Sequence, residues 1–153
     1  MSARQLALAL SLGIAGVLAI AGSAGADADP TDFQYRAGMN GAMEVPGPGD
    51  RNGSGQAGIT VDTVTGEICF DLEVRNIAPA AAAHIHEAEK GSPGPIVVPL
   101  TPPTNGSSSG CAVDVTQAQA IAGDPSGYYV NVHNAEFPDG AVRGQLHGRR
   151  DRG

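Results

Sequence analysis

The sequence contains no tryptophan, and aromatic residues fill only 4% of its 153 positions. Beyond an apolar N-terminal stretch it has neither long helical periodicity nor an internal repeat, so neither a helical bundle nor a repeat array is indicated. Basic residues are also few, with 9 Lys and Arg against 16 Asp and Glu and a formal net charge of −7. Because such an acidic chain repels phosphate-rich surfaces, we expect no nucleic acid as a partner, and no anionic membrane surface.

Turn-forming residues are abundant instead, and the 22 glycines and 11 prolines separate short alternating runs. In the clearest run, residues 67–74, the side chains of Ile68, Phe70, Leu72 and Val74 share one face. This period of two predicts a strand with one buried face. The series of such runs predicts a single all-β domain.

One short helix is expected within the β domain. Thr116 and Gln119 have the spacing of a capping box, and Gly123 provides a C-terminal stop, which together predict a helix over residues 117–122. Three other segments are predicted to be loops or turns: residues 47–55, the four-alanine run 80–83, and the Pro/Ser/Gly-rich stretch 101–110.

Residues 1–26 have the pattern of a secretory signal peptide. Arg4 supplies the positive charge, residues 6–20 are apolar, and an A-x-A sequence precedes Asp27. The alternative is an uncleaved membrane anchor, because no charge lies between Arg4 and Asp27. Cleavage would leave a secreted protein (extracellular, periplasmic or in the cell envelope) with no membrane partner. The expected parts are a leader 1–26, a tail 27–32, a β-sandwich domain 33–147 and a basic tail 148–153.

Two cysteines, Cys69 and Cys111, remain in the predicted exported chain. An even number in an oxidising compartment favours one disulfide. A reactive pair and metal thiolates are the alternatives, but neither cysteine has a C-x-x-C partner or an adjacent histidine. We therefore predict a structural disulfide.

The histidines carry the only concentrated chemistry. His84 and His86 form an H-x-H pair that shares one face of an extended strand, and His133 ends a second extended run at residues 128–133. If the two strands are neighbours, three imidazoles converge on a site for copper or zinc, with copper(II) favoured by the affinity order. The alternative is structural: the imidazoles form hydrogen bonds to Asn131, Glu87 or the backbone.

Three further side chains are candidates for supporting roles at this site. Glu44 is predicted to orient an imidazole, as carboxylates often do for metal-bound histidine. Arg143 and Gln145 lie in the last predicted strand, where Arg143 would act beside the histidines or form a surface ion pair. His147, in the same strand, is ranked below the other histidines as a ligand. No residues are assigned a catalytic role.

Three ordered blocks resemble the CHRD (chordin-type) domain. They are residues 39–46 (MNGAMEVP), residues 83–86 (AHIH) with 94–98 (GPIVV), and residues 129–133 (YVNVH) with 140–146 (GAVRGQL). The positions of the two cysteines are similar to those of the bacterial secreted branch of that family. The resemblance spans about residues 33–147 and implies an extracellular or periplasmic β-sandwich, first noted as a module of chordin, which binds secreted growth factors.

A fainter likeness is to copper/zinc superoxide dismutase, where an H-x-H strand and a further histidine hold copper and an arginine guides the substrate. His84, His86 and His133 match those ligands, and Arg143 matches the arginine. No histidine lies between His86 and His133, so the bridging ligand and the zinc site have no counterpart. Together with the strand pattern, the two likenesses predict a Greek-key β-sandwich of the immunoglobulin or dismutase type.

These observations predict a secreted, non-enzymatic binding or structural module with a mononuclear copper or zinc site. Its partner would be a metal ion or an extracellular ligand that the sequence does not name. The alternative function is a copper-dependent redox protein of the dismutase type.

Overall fold

The computed structural model describes residues 32–148 and confirms an all-β fold with one short α-helix. Two 3-10 turns, Gly41–Met43 and Pro125–Gly127, accompany helix α1 at Val115–Gly123. The nine strands are β1 Asp32–Asn40, β2 Ser54–Asp62, β3 Glu67–Arg75, β4 Ala80–Glu87, β5 Ile96–Leu100, β6 Ser107–Val113, β7 Tyr128–Asn134, β8 Val142–Gln145 and β9 His147–Gly148.

The strands form one antiparallel sheet in the order β5-β4-β7-β8-β1-β2-β3-β6, and β9 pairs with β1. Strand β6 lies beside β3 and β7 lies beside β4, so the chain crosses over twice in the Greek-key manner. The two ends of the order, β5 and β6, also contact each other. The sheet therefore curls into a nearly closed, sandwich-like barrel around one core.

The core is built from the apolar face of each alternating strand. Ile59, Ile68, Leu72 and Val130 are at most 1% exposed, and helix α1 adds Ile121 to the same cluster. Each buried side chain of this size stabilises the fold by about 1.5–3 kcal/mol relative to exposure. The inner face thus fixes the strands, which leaves the outer face of β4, β7 and β8 available for polar side chains.

A disulfide joins β3 to β6. Cys69 and Cys111 are directly opposite each other in the register of the two strands, and their sulfur atoms are bonded. The predicted disulfide is confirmed, and the alternatives of a reactive thiol pair or metal thiolates are wrong. The link ties together two strands that are 42 residues apart in sequence.

Helix α1 begins earlier than predicted. Its N-cap is Asp114, whose carboxylate accepts a hydrogen bond from the backbone N–H of Gln117 at 3.0 Å. Asp114 caps the helix because its backbone is extended and its side chain reaches the first turn. The capping box predicted for Thr116 and Gln119 is therefore wrong, and the Gln119 side chain instead donates to the carbonyl of Thr63.

Parts of three segments predicted to be irregular belong to the sheet, and in the first of them, residues 47–55, Ser54 and Gly55 open β2. Strand β4 already begins at Ala80, and Ala83 is buried and paired with Val132 of β7. Pairing on a neighbouring strand overrides the weak local preference of an alanine run. Ser107 similarly opens β6 because it pairs with Glu73. The prediction of loop structure throughout residues 47–55, 80–83 and 101–110 was wrong for these strand residues.

The predicted leader 1–26 lies outside the described residues, as do residues 27–31 and 149–153. Asp32 and Gly148, assigned above to the tails, belong to strands β1 and β9. Within residues 32–148 no helix has the length and apolar character needed to cross a membrane.

Candidate metal centre

Polar side chains gather on the outer face of strands β4, β7 and β8. In the strand register His84 is opposite Asn131, and His86 is opposite Tyr129. On the other side of β7, Arg143 of β8 is opposite Asn131. Directly opposed residues of antiparallel strands point to the same face. We call this set the polar face: His84, His86, Tyr129, Asn131, His133, Arg143 and Gln145.

Three imidazoles of the polar face come together. The Nδ1 atom of His84 lies 3.3 Å from the Nε2 atom of His133. The ring centroid of His86 is 5.6 Å from that of His84 and 6.2 Å from that of His133. One nitrogen from each ring lies within 4.8 Å of the others. The structure thus brings together the three residues that the sequence singled out.

The spacing of these nitrogens matches a metal site in part. Two imidazole nitrogens bound to a tetrahedral zinc ion at about 2.1 Å are about 3.4 Å apart. The 3.3 Å between His84 Nδ1 and His133 Nε2 is close to that distance, whereas a separation of 4.8 Å, the upper limit within the cluster, would have to shrink by about 1.4 Å. Because the three histidines come from adjacent, hydrogen-bonded strands, their backbone positions are already fixed.

Backbone carbonyls hold the opposite edges of two rings. His86 Nδ1 lies 2.9 Å from the carbonyl of Gly94, and His133 Nδ1 lies 3.0 Å from that of Pro138. A carbonyl only accepts, so each Nδ1 donates its proton and each Nε2 keeps a lone pair. The Nε2 atom of His86 is buried without a hydrogen-bond partner among residues 32–148. A ligand nitrogen oriented in this way is the usual arrangement around metal-bound histidine.

Burial lowers the pKa of all three imidazoles below the usual histidine value. At His84 the neighbouring His133 and His86 lower the pKa further. At His86 and His133 the hydrogen bond to a carbonyl offsets part of the effect of burial. The three rings are therefore neutral at pH 7, which is the form that binds a metal ion.

An aromatic ring stands behind the site. The phenol ring of Tyr129 is stacked on His86, with centroids 4.8 Å apart, and the guanidinium carbon of Arg143 lies 3.4 Å from the Tyr129 centroid. The Tyr129 oxygen accepts a hydrogen bond from the backbone N–H of Gly94. Because the Arg143 charge is close, it also lowers the pKa of His86. The ring stack thus restricts His86 and places a cation near the site.

The loop after β4 covers the polar face. Arg143 donates to the carbonyl of Glu89 at 3.3 Å, and Gln145 donates to the carbonyl of Ala88 at 2.8 Å. Gln145 also donates to the carbonyl of Ser126. Both side chains therefore hold loops in place, and their predicted roles beside a metal ion stay predictions.

Glu44 is buried, and the two residues that lower its pKa, Arg143 and Asn131, belong to the polar face. Burial raises the pKa of Glu44 to about 7, while Arg143 and Asn131 partly oppose that rise. The hydrogen bonds at His86 and His133 go to backbone carbonyls rather than to this carboxylate. Its predicted role in orienting an imidazole stays a prediction, and its closest electrostatic partner is Arg143.

The sequence reasoning missed Tyr129 as a member of the polar face, and it considered Asn131 only as a hydrogen-bond partner of the imidazoles. Tyr129 stacks on His86, and Asn131 is 4% exposed. The signal was present, because the period of two that places His133 on one face of β7 places these two residues there as well. His147 is exposed, and it does not join the three-histidine cluster of the described residues.

Comparison with known families agrees with this architecture. A model of the CHRD domain matches residues 35–146. The chain belongs to the CHRD domain family. The match includes His84, His86, His133 and both cysteines, so the polar face and the disulfide lie inside the CHRD domain. No curated protein and no solved structure matches the chain.

Proposed function

We propose that this protein is a secreted CHRD-domain binding module that holds one copper or zinc ion at His84, His86 and His133. The convergence of three ring nitrogens within 4.8 Å carries the proposal. The lowered pKa values support it, and so do the carbonyl-bound Nδ1 atoms of His86 and His133, because they leave neutral rings whose Nε2 atoms carry the lone pairs.

Secretion is supported by three observations. The CHRD family is one of extracellular modules, Cys69 and Cys111 form a disulfide, and residues 1–26 have the composition of a signal peptide. The disulfide argues most strongly, because such bonds persist mainly in oxidising compartments.

The ligand set favours copper or zinc over magnesium or calcium. Imidazole nitrogens suit the first two ions, whereas the latter two prefer oxygen ligands. Within residues 32–148 no Cys, Asp or Glu joins the three histidines. A site with three protein ligands keeps a coordination position open, and a bound ion would offer that position to an outside ligand.

A copper-dependent redox protein of the dismutase type is the alternative proposal. It requires Arg143 to guide an anion towards the metal. The Arg143 side chain is only 2% exposed, and its guanidinium group lies against Tyr129. An arginine that is stacked on Tyr129 and lines a cavity that none of the three histidines lines is poorly placed for that task, so we favour the binding module.

The test is metal analysis of the exported protein, followed by titration of the metal-free protein with copper(II) and zinc. We expect one equivalent of metal with nitrogen ligands, visible as nitrogen coupling in the copper(II) electron paramagnetic resonance spectrum. Identical spectra and melting curves with and without metal would overturn the proposal. Superoxide turnover by the copper-loaded protein would favour the redox alternative.

A further inference from the structure

A cavity of about 560 Å³ lies beside β8 and is separate from the three histidines. It is enclosed by the segment around Met43, by Lys90 and Gly91 of the loop after β4, and by Arg143. Its volume is within the range of pockets that take small molecules, about 300–1,000 Å³. None of His84, His86 and His133 lines it, so the cavity and the histidine cluster are formed by different residues.

The charge of this cavity is opposite in sign to that of the protein. The chain has a net charge of −7, but Arg143 and Lys90 both line the cavity, against the single carboxyl group of Glu44. Since burial raises the pKa of Glu44 to about 7, much of its negative charge is lost at neutral pH. The balance in the cavity is therefore positive, which favours an anion.

Arg143 is only partly satisfied by the protein. Its Nη2 atom donates to the carbonyl of Glu89, whereas Nη1 is buried without a hydrogen-bond partner among the described residues. An arginine that lines the cavity and retains an unpaired donor favours an anion there, and a carboxylate matches its guanidinium group.

The remaining walls of the cavity are largely apolar. Ala42, Met43 and Val45 line one side, and Met43 is 38% exposed. Gly38 of β1 lines the cavity too and leaves space, since a Cβ atom there would have no neighbour within 4 Å. An apolar chain of several carbons would gain from contact with these walls.

We propose that this cavity binds a small carboxylate with an apolar chain, the carboxylate towards Arg143 and Lys90 and the chain along Ala42, Met43 and Val45. A neutral ligand would bring no negative charge to Arg143 and Lys90. An organic cation would be repelled by both positive side chains.

The first test uses octanoate as the probe and calorimetry of the purified exported protein as the measurement. Octanol and octyltrimethylammonium have the same chain with no charge and with a positive charge. We expect saturable binding of octanoate, binding of octanol that is at least about tenfold weaker, and no binding of the cation. Equal affinities for the acid and the alcohol, or no saturable octanoate binding, would overturn the proposal.

A second test fills the cavity by substitution. Gly38→Leu places a side chain in the open space of the cavity, whereas Gly58→Leu places one on β2, where a Cβ atom also meets nothing within 4 Å and which does not line this cavity. We expect Gly38→Leu to weaken octanoate binding by at least about tenfold and Gly58→Leu to leave it unchanged. Melting curves of both variants report that they are folded.

A third variant distinguishes binding in the cavity from binding at the metal site. His84 does not line the cavity, so His84→Ala should retain octanoate binding while it loses metal. Octanoate binding that persists in Gly38→Leu, or that disappears in His84→Ala, would show that the probe binds elsewhere and would overturn the proposal.

Discussion

The imidazole of His86 lies nearly parallel to the phenol ring of Tyr129, with 4.8 Å between centroids and 11° between planes. One residue contacts both rings, because Gly94 accepts a hydrogen bond from His86 Nδ1 through its carbonyl and donates one to the Tyr129 oxygen through its N–H. An imidazole held in this way has lost most of its freedom before any ion could bind. Such preorganisation reduces the entropic cost of binding.

Removal of a single imidazole should abolish tight metal binding. We expect His86→Ala and His133→Ala each to weaken copper(II) binding by at least about 100-fold, because substitution of groups that merely support a ligand already costs 10–100-fold. Competition against a chelator of known affinity measures the loss. His147→Ala is the matched control, since this exposed residue lies outside the cluster, and it should bind as the wild type does. An unchanged affinity in His133→Ala would contradict the three-histidine site.

The stacked ring makes a second prediction possible. Tyr129→Leu removes the flat surface behind His86 and should weaken copper(II) binding by about tenfold. Tyr129→Phe keeps that surface and loses only the hydrogen bond from Gly94, so it should retain the affinity and lose about 1 kcal/mol of unfolding free energy. Metal titration and denaturant unfolding measure the two effects. If Tyr129→Leu binds as tightly as Tyr129→Phe, the ring does not position His86.

Side-chain alternation made much of this arrangement predictable from the sequence. A period of two places His84 and His86 on one face whatever the strand pairs with, and the two cysteines allow only one intramolecular disulfide. The strands at residues 67–74 and 128–133 were predicted in the same way. Along the first, every second side chain is apolar, and along the second, every second side chain is polar over several positions.

Features that depend on contacts between residues far apart in the sequence could not be predicted in this way. The register that sets His86 beside Tyr129, and the return of the loop at Gly94 to both rings, arise from the tertiary fold. The local sequence also predicted the wrong start for helix α1, because two nearby residues are both suitable N-caps. Asp114 and Thr116 are both good N-caps, and the extended backbone that decides between them is set by strand β6.

Loss of the disulfide should lower stability without loss of metal. It joins residues 42 apart, and the chain-entropy model gives about 4 kcal/mol for a loop of this length. We expect the double variant Cys69→Ala/Cys111→Ala to have a lower melting temperature and an unchanged copper(II) affinity, because the pair lies on β3 and β6, which carry none of the three histidines and do not pair with β4 or β7. The affinity is measured at a temperature where the variant is still folded. A copper(II) affinity below that of the wild type under this condition would contradict the separation.

Glu44 should make the stability of the metal-free protein fall as the pH rises. Its pKa is about 7 in the folded protein against an ordinary value of 4.5, with burial as the main cause. Below pH 4.5 the carboxyl group is protonated in both states, so it imposes no penalty. Between these pH values the folded state holds a proton that the unfolded state has released, and the unfolding free energy therefore decreases as pH increases.

The shift in the Glu44 pKa corresponds to a loss on the order of 3 kcal/mol, complete above about pH 7. The histidines act in the opposite direction, since their lowered pKa values make the folded state lose stability as the pH falls below their usual value. Subtracting the unfolding free energy of Glu44→Gln from that of the wild type cancels the contribution of the histidines. Denaturant unfolding of both proteins across this pH range therefore isolates the effect of Glu44. Glu67→Gln, at an exposed position, controls for the loss of one carboxylate. A difference that stays constant with pH would mean that the Glu44 carboxyl group ionises alike in the folded and unfolded chains.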